Sequence, residues 1–139
     1  MVLVDSSVWI PVLRRNPPAR LRRRVDGLLR EDEAAVCDIV KVELLSGART
    51  EEEYACLRMR LDALPFIETT GSVWECAARI VFSMRRGGVV VPTADALVAA
   101  CARQAGCVLL HADRHFDMIA ACAGLKVESC VPARKGTSP

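Results

Sequence analysis

Aromatic side chains are scarce in this 139-residue chain, with two Trp, one Tyr and three Phe making up 4% of it. A protein that grips single strands by stacking their bases needs several exposed rings, so that class is set aside. Lysine is nearly missing as well. Only Lys41, Lys126 and Lys135 interrupt a basic complement that is otherwise all Arg. Long apolar runs are absent, since Asp5 breaks the opening MVLVDSS and the stretch 96–102 is far too short for a membrane span. The expected setting is therefore soluble and cytoplasmic, away from membranes. No two of the seven cysteines form a Cys-x-x-Cys pair, and most sit in apolar runs, where a thiol acts as a small hydrophobe. That pattern argues against both a disulfide scaffold and a zinc site.

Apolar material, by contrast, is plentiful. Hydrophobic residues make up 52% of the chain and charged residues 26%, which excludes a disordered regulator and allows one well-filled core. We expect a single domain over residues 1–131 and a polar, flexible C-terminal tail over 132–139. The net charge is only +2, but it is carried by guanidinium groups, whose planar fork suits phosphate. A polyanionic partner is one reading of that bias, and Arg-rich codon usage is the other.

Short apolar runs alternate with helical patterns along the chain. Strands are expected at 2–4, 34–37, 65–68, 107–110 and 126–130. Helices are expected at 9–14, 18–30, 39–46, 50–64, 72–86, 94–104 and 114–124. Asp38 and Thr50 supply N-cap chemistry, while Gly47, Gly87, Gly106 and Gly124 supply stops. Strands that read as unbroken apolar runs between helices belong to an α/β domain, with a mainly parallel sheet covered on both faces.

Ligands in such a sheet collect outside the carboxyl ends of the strands, and that rule gathers four scattered acids. Asp5 follows the first strand, and Asp113 follows the fourth. Glu43 lies one turn into the helix after the second strand, and Asp95 lies in the first turn of the helix before the fourth. Taken singly, Asp5 and Asp113 read as helix caps and Asp95 as a partner of its helix dipole. Glu43 shares a face with Ile39, Val40 and Gly47, an apolar setting without an obvious cationic partner. If the four converge, their repulsion calls for a cation, and an all-oxygen set suits Mg²⁺ or Mn²⁺. Metal-assisted phosphodiester hydrolysis is the chemistry that fits.

The segments LVDSSVWI, VCDIVKVELLSGA, PTADALVAACA and VLLHADRHFD together resemble the PIN-domain ribonucleases, and most closely the VapC toxins of VapBC toxin–antitoxin modules. The similarity runs from residue 2 to about residue 127. It implies a PIN-like fold and a metal-dependent endoribonuclease in which Asp5, Glu43, Asp95 and Asp113 hold Mg²⁺ or Mn²⁺. Ser6, Ser7, Thr93 and Asp117 are the expected supporting residues, with Ser6-Ser7 standing where the family often has Thr-Ser. A departure falls in the last motif, where the family often reads D-x-D-F and this chain reads Asp113-Arg114-His115-Phe116. His115 thus replaces an acid there. Asp117, one helical turn along, is the residue placed to compensate, while a surface helix position is the simpler reading of His115.

The resemblance further implies an RNA substrate, a VapB-like antitoxin and a homodimer. Arg14, Arg15, Arg85, Arg86 and Arg114 are the candidate RNA contacts, a solvated helix face being the competing reading. Val8, Trp9 and Val12 are expected to line the antitoxin's groove, and both Trp9 and Trp74 to pack in the core or at a subunit interface. The non-enzymatic alternative is a silent PIN module that binds RNA or a protein without cutting. A phosphatase or receiver domain would need further acids beside Asp5, and Ser6-Ser7 supply none.

Overall fold

The computed structural model describes residues 1–132, so the expected tail lies, but for its first residue, outside the described residues. Five strands and seven helices follow one another within that span: β1 (Val2–Val4), α1 (Ser6–Leu13), α2 (Ala19–Arg30), β2 (Ala34–Cys37), α3 (Asp38–Leu45), α4 (Glu51–Asp62), β3 (Phe66–Ile67), α5 (Gly71–Arg86), α6 (Thr93–Ala105), β4 (Val108–His111), α7 (Arg114–Ala123) and β5 (Val127–Ser129). Every expected element is present, displaced by at most a few residues. The largest shift is α1, which begins directly after Asp5 because that side chain caps it, accepting from the Ser7 N–H at 3.0 Å. Asp38 is the first residue of α3 rather than its cap, a position held by Cys37.

The strands form one sheet in the order β3-β2-β1-β4-β5, and every pairing is parallel. β2 is wholly buried, as are the last two residues of β1 and the last three of β4, which is why these strands read as continuous apolar runs. Helix α6 is buried without a break from Ala96 to Ala102, and its small side chains let it press closely on its neighbours. Phe116 and Ile119 of α7, fully buried, close the core beside Leu109 and Leu110. Left-handed Gly106 and Gly124, with φ of 65° and 66°, end α6 and α7 and turn the chain into β4 and toward β5.

One surface expectation is corrected. Val8, Trp9 and Val12 are buried in the core, so they do not line a groove. The exposed side of α1 carries Ile10 and Leu13 instead, because a helix one layer above the sheet turns its other stripe outward. Of the two tryptophans, Trp9 packs in the core and Trp74 is 56% exposed on α5. No helix among the described residues is long and apolar enough to cross a membrane.

Candidate active site

From β1 the chain winds through β2 to β3 on one side, then crosses to β4 and β5 on the other. The strand order therefore reverses between β1 and β4, where the connections leave in opposite directions and open a crevice. Asp5 and Asp113 stand at the carboxyl ends of those two strands. Glu43 arrives on α3 and Asp95 on the first turn of α6. Every pair among these four carboxyls repels electrostatically, which places them in one cluster.

The structural roles expected of the acids are real, and they coexist with the cluster. Asp5 Oδ2 caps α1, and Asp113 Oδ1 caps α7 by accepting the His115 N–H at 3.0 Å. In each case the cap bond engages one carboxylate oxygen. Asp95 occupies the first turn of α6, whose N-terminus has no side-chain cap. Three helix N-termini thus meet the same negative charge, which their dipoles offset in part.

Burial and repulsion push Asp5, Glu43 and Asp95 upward. Asp5 is the deepest, 3% exposed, and burial raises it despite hydrogen bonds from Ser7 and Ser6. Burial also raises Glu43, with Asp5 and Asp95 adding to the effect and the Ser6 hydroxyl opposing it. Asp95 is pushed up to about 6 by burial and by the charges of Asp113 and Asp5, with His115 pulling the other way. No Lys or Arg among the described residues forms a salt bridge with any of the four. Lys41, the nearest in sequence to Glu43, pairs with Asp62 instead.

The supporting residues divide. Ser7 Oγ accepts the Ala112 N–H at 2.9 Å, tying the start of α1 to the loop that carries Asp113. Thr93 is exposed at the head of α6, two residues before Asp95. Asp117 turns away from the cluster toward β5, where its Oδ2 accepts from Ser129 Oγ at 3.0 Å. Its Oδ1 lies 3.1 Å from Nε2 of the buried His111, close enough to pair but off the line of a good hydrogen bond. Asp117 therefore does not compensate for the acid missing at 115.

His115 is the residue whose place the sequence pattern undervalues. Its Nδ1 stands 3.0 Å from Asp95 Oδ2 and 3.1 Å from Asp113 Oδ1. The available signal is its place two residues after an N-cap Asp, where the first turn of a helix folds back over the cap. The arginines are spread out. Arg14 and Arg15 line a cavity of about 580 Å³ with Ile10, Leu13 and Arg49, between α1 and the α3–α4 pair. Arg85 and Arg86 end α5, and Arg86 lies over the Phe82 ring at 5.7 Å. Arg114 is exposed on α7 beside Asp113, the nearest of the five in sequence to a cluster acid.

The structure is thus a parallel α/β domain with acids gathered at its switch point. The PIN domain matches residues 2–121, and the chain belongs to the PIN-domain family. Ribonuclease VapC51 of Mycobacterium tuberculosis is 35% identical over 134 residues, covering 94% of this chain and 93% of its own. The VapC ribonuclease Mb1587 of Mycobacterium bovis is 32% identical over 136 residues, covering 93% and 98%. Among solved structures, DNA-bound VapBC from Salmonella typhimurium aligns with a TM-score of 0.76 at 22% identity, over 92% of this chain and 96% of that one. FitAcB from Neisseria gonorrhoeae aligns with a TM-score of 0.74 at 23% identity, over 91% and 96%. These structures share the fold.

Proposed function

We propose that this chain is the endoribonuclease toxin of a toxin–antitoxin pair, cutting RNA phosphodiester bonds at a metal site made by Asp5, Glu43, Asp95 and Asp113. The observation that carries this reading is the convergence of four carboxyls, with Asp5, Glu43 and Asp95 raised by burial and repulsion and no Lys or Arg among the described residues paired to any of the four. Such a cluster is costly to assemble and gains most from a divalent cation. The donors fit Mg²⁺ or Mn²⁺, because hard carboxylate oxygens dominate the set. Curated relatives named as VapC ribonucleases, similar over nearly the whole chain, support the same activity.

When bound, the cation supplies an activated water and a positive charge beside the phosphoryl oxygens. Asp5, Glu43, Asp95 and Asp113 are the residues that would hold it. Ser7, through the Ala112 N–H, keeps the Asp113 loop in register with Asp5. Ser6 orients Glu43. Arg114, exposed and next in sequence to Asp113, is the candidate contact to a backbone phosphate.

A VapB-like antitoxin and a second copy of the chain are the partners that this reading carries. Several structural neighbours are toxin–antitoxin complexes, VapBC2 from Rickettsia felis among them. Co-expression with the antitoxin encoded beside it should yield a complex that survives size-exclusion chromatography and no longer cuts RNA. The primary test is cleavage of total cellular RNA by purified protein with Mg²⁺, with Mn²⁺ and with EDTA. Discrete, metal-dependent fragments that vanish in Asp5→Asn are expected. Equal cleavage by wild type and Asp5→Asn would sink the assignment.

A further inference from the structure

His115 brings a nitrogen into a cluster otherwise made of oxygen. Donor atoms of Asp95, Asp113 and His115 all lie within 4.8 Å of one another. The ring nitrogen faces both carboxylates at once, at 3.0 Å and 3.1 Å. A neutral imidazole has one proton or one lone pair at Nδ1, so hydrogen bonding alone can satisfy only one of those two contacts well. The same spacing has another meaning. Adjacent ligands of an octahedral ion, each about 2.1 Å from it, stand about 3.0 Å apart along the edge. His115 Nδ1 therefore stands from each of the two carboxylate oxygens at the spacing of neighbouring ligands of one ion.

We propose that His115 is a direct nitrogen ligand of the cation at this site and tilts its preference from Mg²⁺ toward Mn²⁺. The inference rests on the metal-dependent reading above and adds a ligand to it. Mg²⁺ favours oxygen donors and holds its waters tightly, whereas Mn²⁺ accepts imidazole more readily. An acid at this position would add a fifth negative charge to the cluster. The imidazole adds a donor without adding charge, and its ring is 39% exposed, which leaves room to adjust. The other histidine does not compete, because His111 is fully buried and its Nδ1 accepts the Asp113 N–H at 3.2 Å.

The test is pulsed electron paramagnetic resonance of Mn²⁺ bound to the full chain, with Mn²⁺ and Mg²⁺ affinities measured by calorimetry. Wild type, His115→Gln and Asp113→Asn are compared, without RNA. Histidine ¹⁴N couplings to Mn²⁺ are expected in wild type and absent in His115→Gln. That variant should weaken Mn²⁺ about tenfold or more while leaving Mg²⁺ within about twofold. Asp113→Asn should weaken both ions. Tight Mn²⁺ binding in wild type without ¹⁴N coupling overturns the inference while leaving the carboxylate site standing. So do couplings or an ion preference that survive in His115→Gln. If Mn²⁺ fails to bind wild type, or binds Asp113→Asn equally well, the carboxylate reading falls and takes this one with it. The wild-type spectrum decides the matter even if a variant misfolds.

Discussion

Asp95 governs how this protein should respond to pH. Burial and the charges of Asp113 and Asp5 lift its carboxyl from an ordinary 3.8 to about 6. The folded chain then holds that proton more tightly than the unfolded chain does. The stabilising contribution is complete below about pH 4 and is lost as pH rises through about 6. Asp5 and Glu43, also raised, work in the same direction. In EDTA, Asp95→Asn should therefore be more stable than wild type at pH 7, by about 2 kcal/mol, with the gap closing near pH 4. Thermal melts of both proteins across that range provide the check, and a gap that widens on acidification would count against it. Activity should follow the opposite course. Cation binding, and with it cleavage at limiting metal, should weaken as pH drops below about 6 and Asp95 takes up its proton. Stability without metal and activity with it thus pull on one carboxyl in opposite directions.

Helix ends, more than helix faces, build the site. The N-termini of α1, α6 and α7 meet at the crevice, and two of them are capped by the acids that would bind the cation. Ser7 joins two of these ends by accepting the Ala112 N–H. Ser7→Ala should leave that N–H without its acceptor, costing about 1–3 kcal/mol, and should slow cleavage by loosening the Asp113 loop. Thr50→Ala offers the contrast. Thr50 caps α4 by accepting the Glu53 N–H at 3.0 Å, outside the acid cluster. Its loss should cost about 1 kcal/mol and leave the cleavage rate unchanged. Parallel melts and initial rates separate the two. An equal loss of activity in both variants would mean that stability alone had been measured.

At the scale of the whole molecule, the sheet order creates the crevice, and the candidate arginines lie on several different elements. Arg114 stands beside the acids, whereas Arg86 is held against Phe82 on α5. In an Asp5→Asn background, which binds without cutting, RNA affinity should fall with salt. Arg114→Ala should weaken binding and flatten the slope of log K against log salt by about 0.7, the value of one contact to a single strand. Arg86→Ala should leave that slope unchanged. Filter binding over a salt series distinguishes them, and an unaltered slope in Arg114→Ala would remove it from the RNA path.

The element order and the four acids could be read from the amino-acid sequence because both depend on local chemistry. Apolar runs, Asp and Thr caps and glycine stops act over a few residues, and the rule that parallel strands gather ligands at their carboxyl ends supplied the remaining step. Residue spacing could not tell which way a side chain leaves its helix. Asp117 and His115, two positions apart on α7, face different partners: one meets β5, the other the acid cluster. The same limit hid the orientation of α1, which buries Val8, Trp9 and Val12 and exposes Ile10 and Leu13. The sequence by itself determined the parallel α/β architecture and the acids at its strand ends. Tertiary structure alone decided that the imidazole reaches Asp95 as well as its neighbour Asp113, because that contact depends on how α6 and α7 pack together.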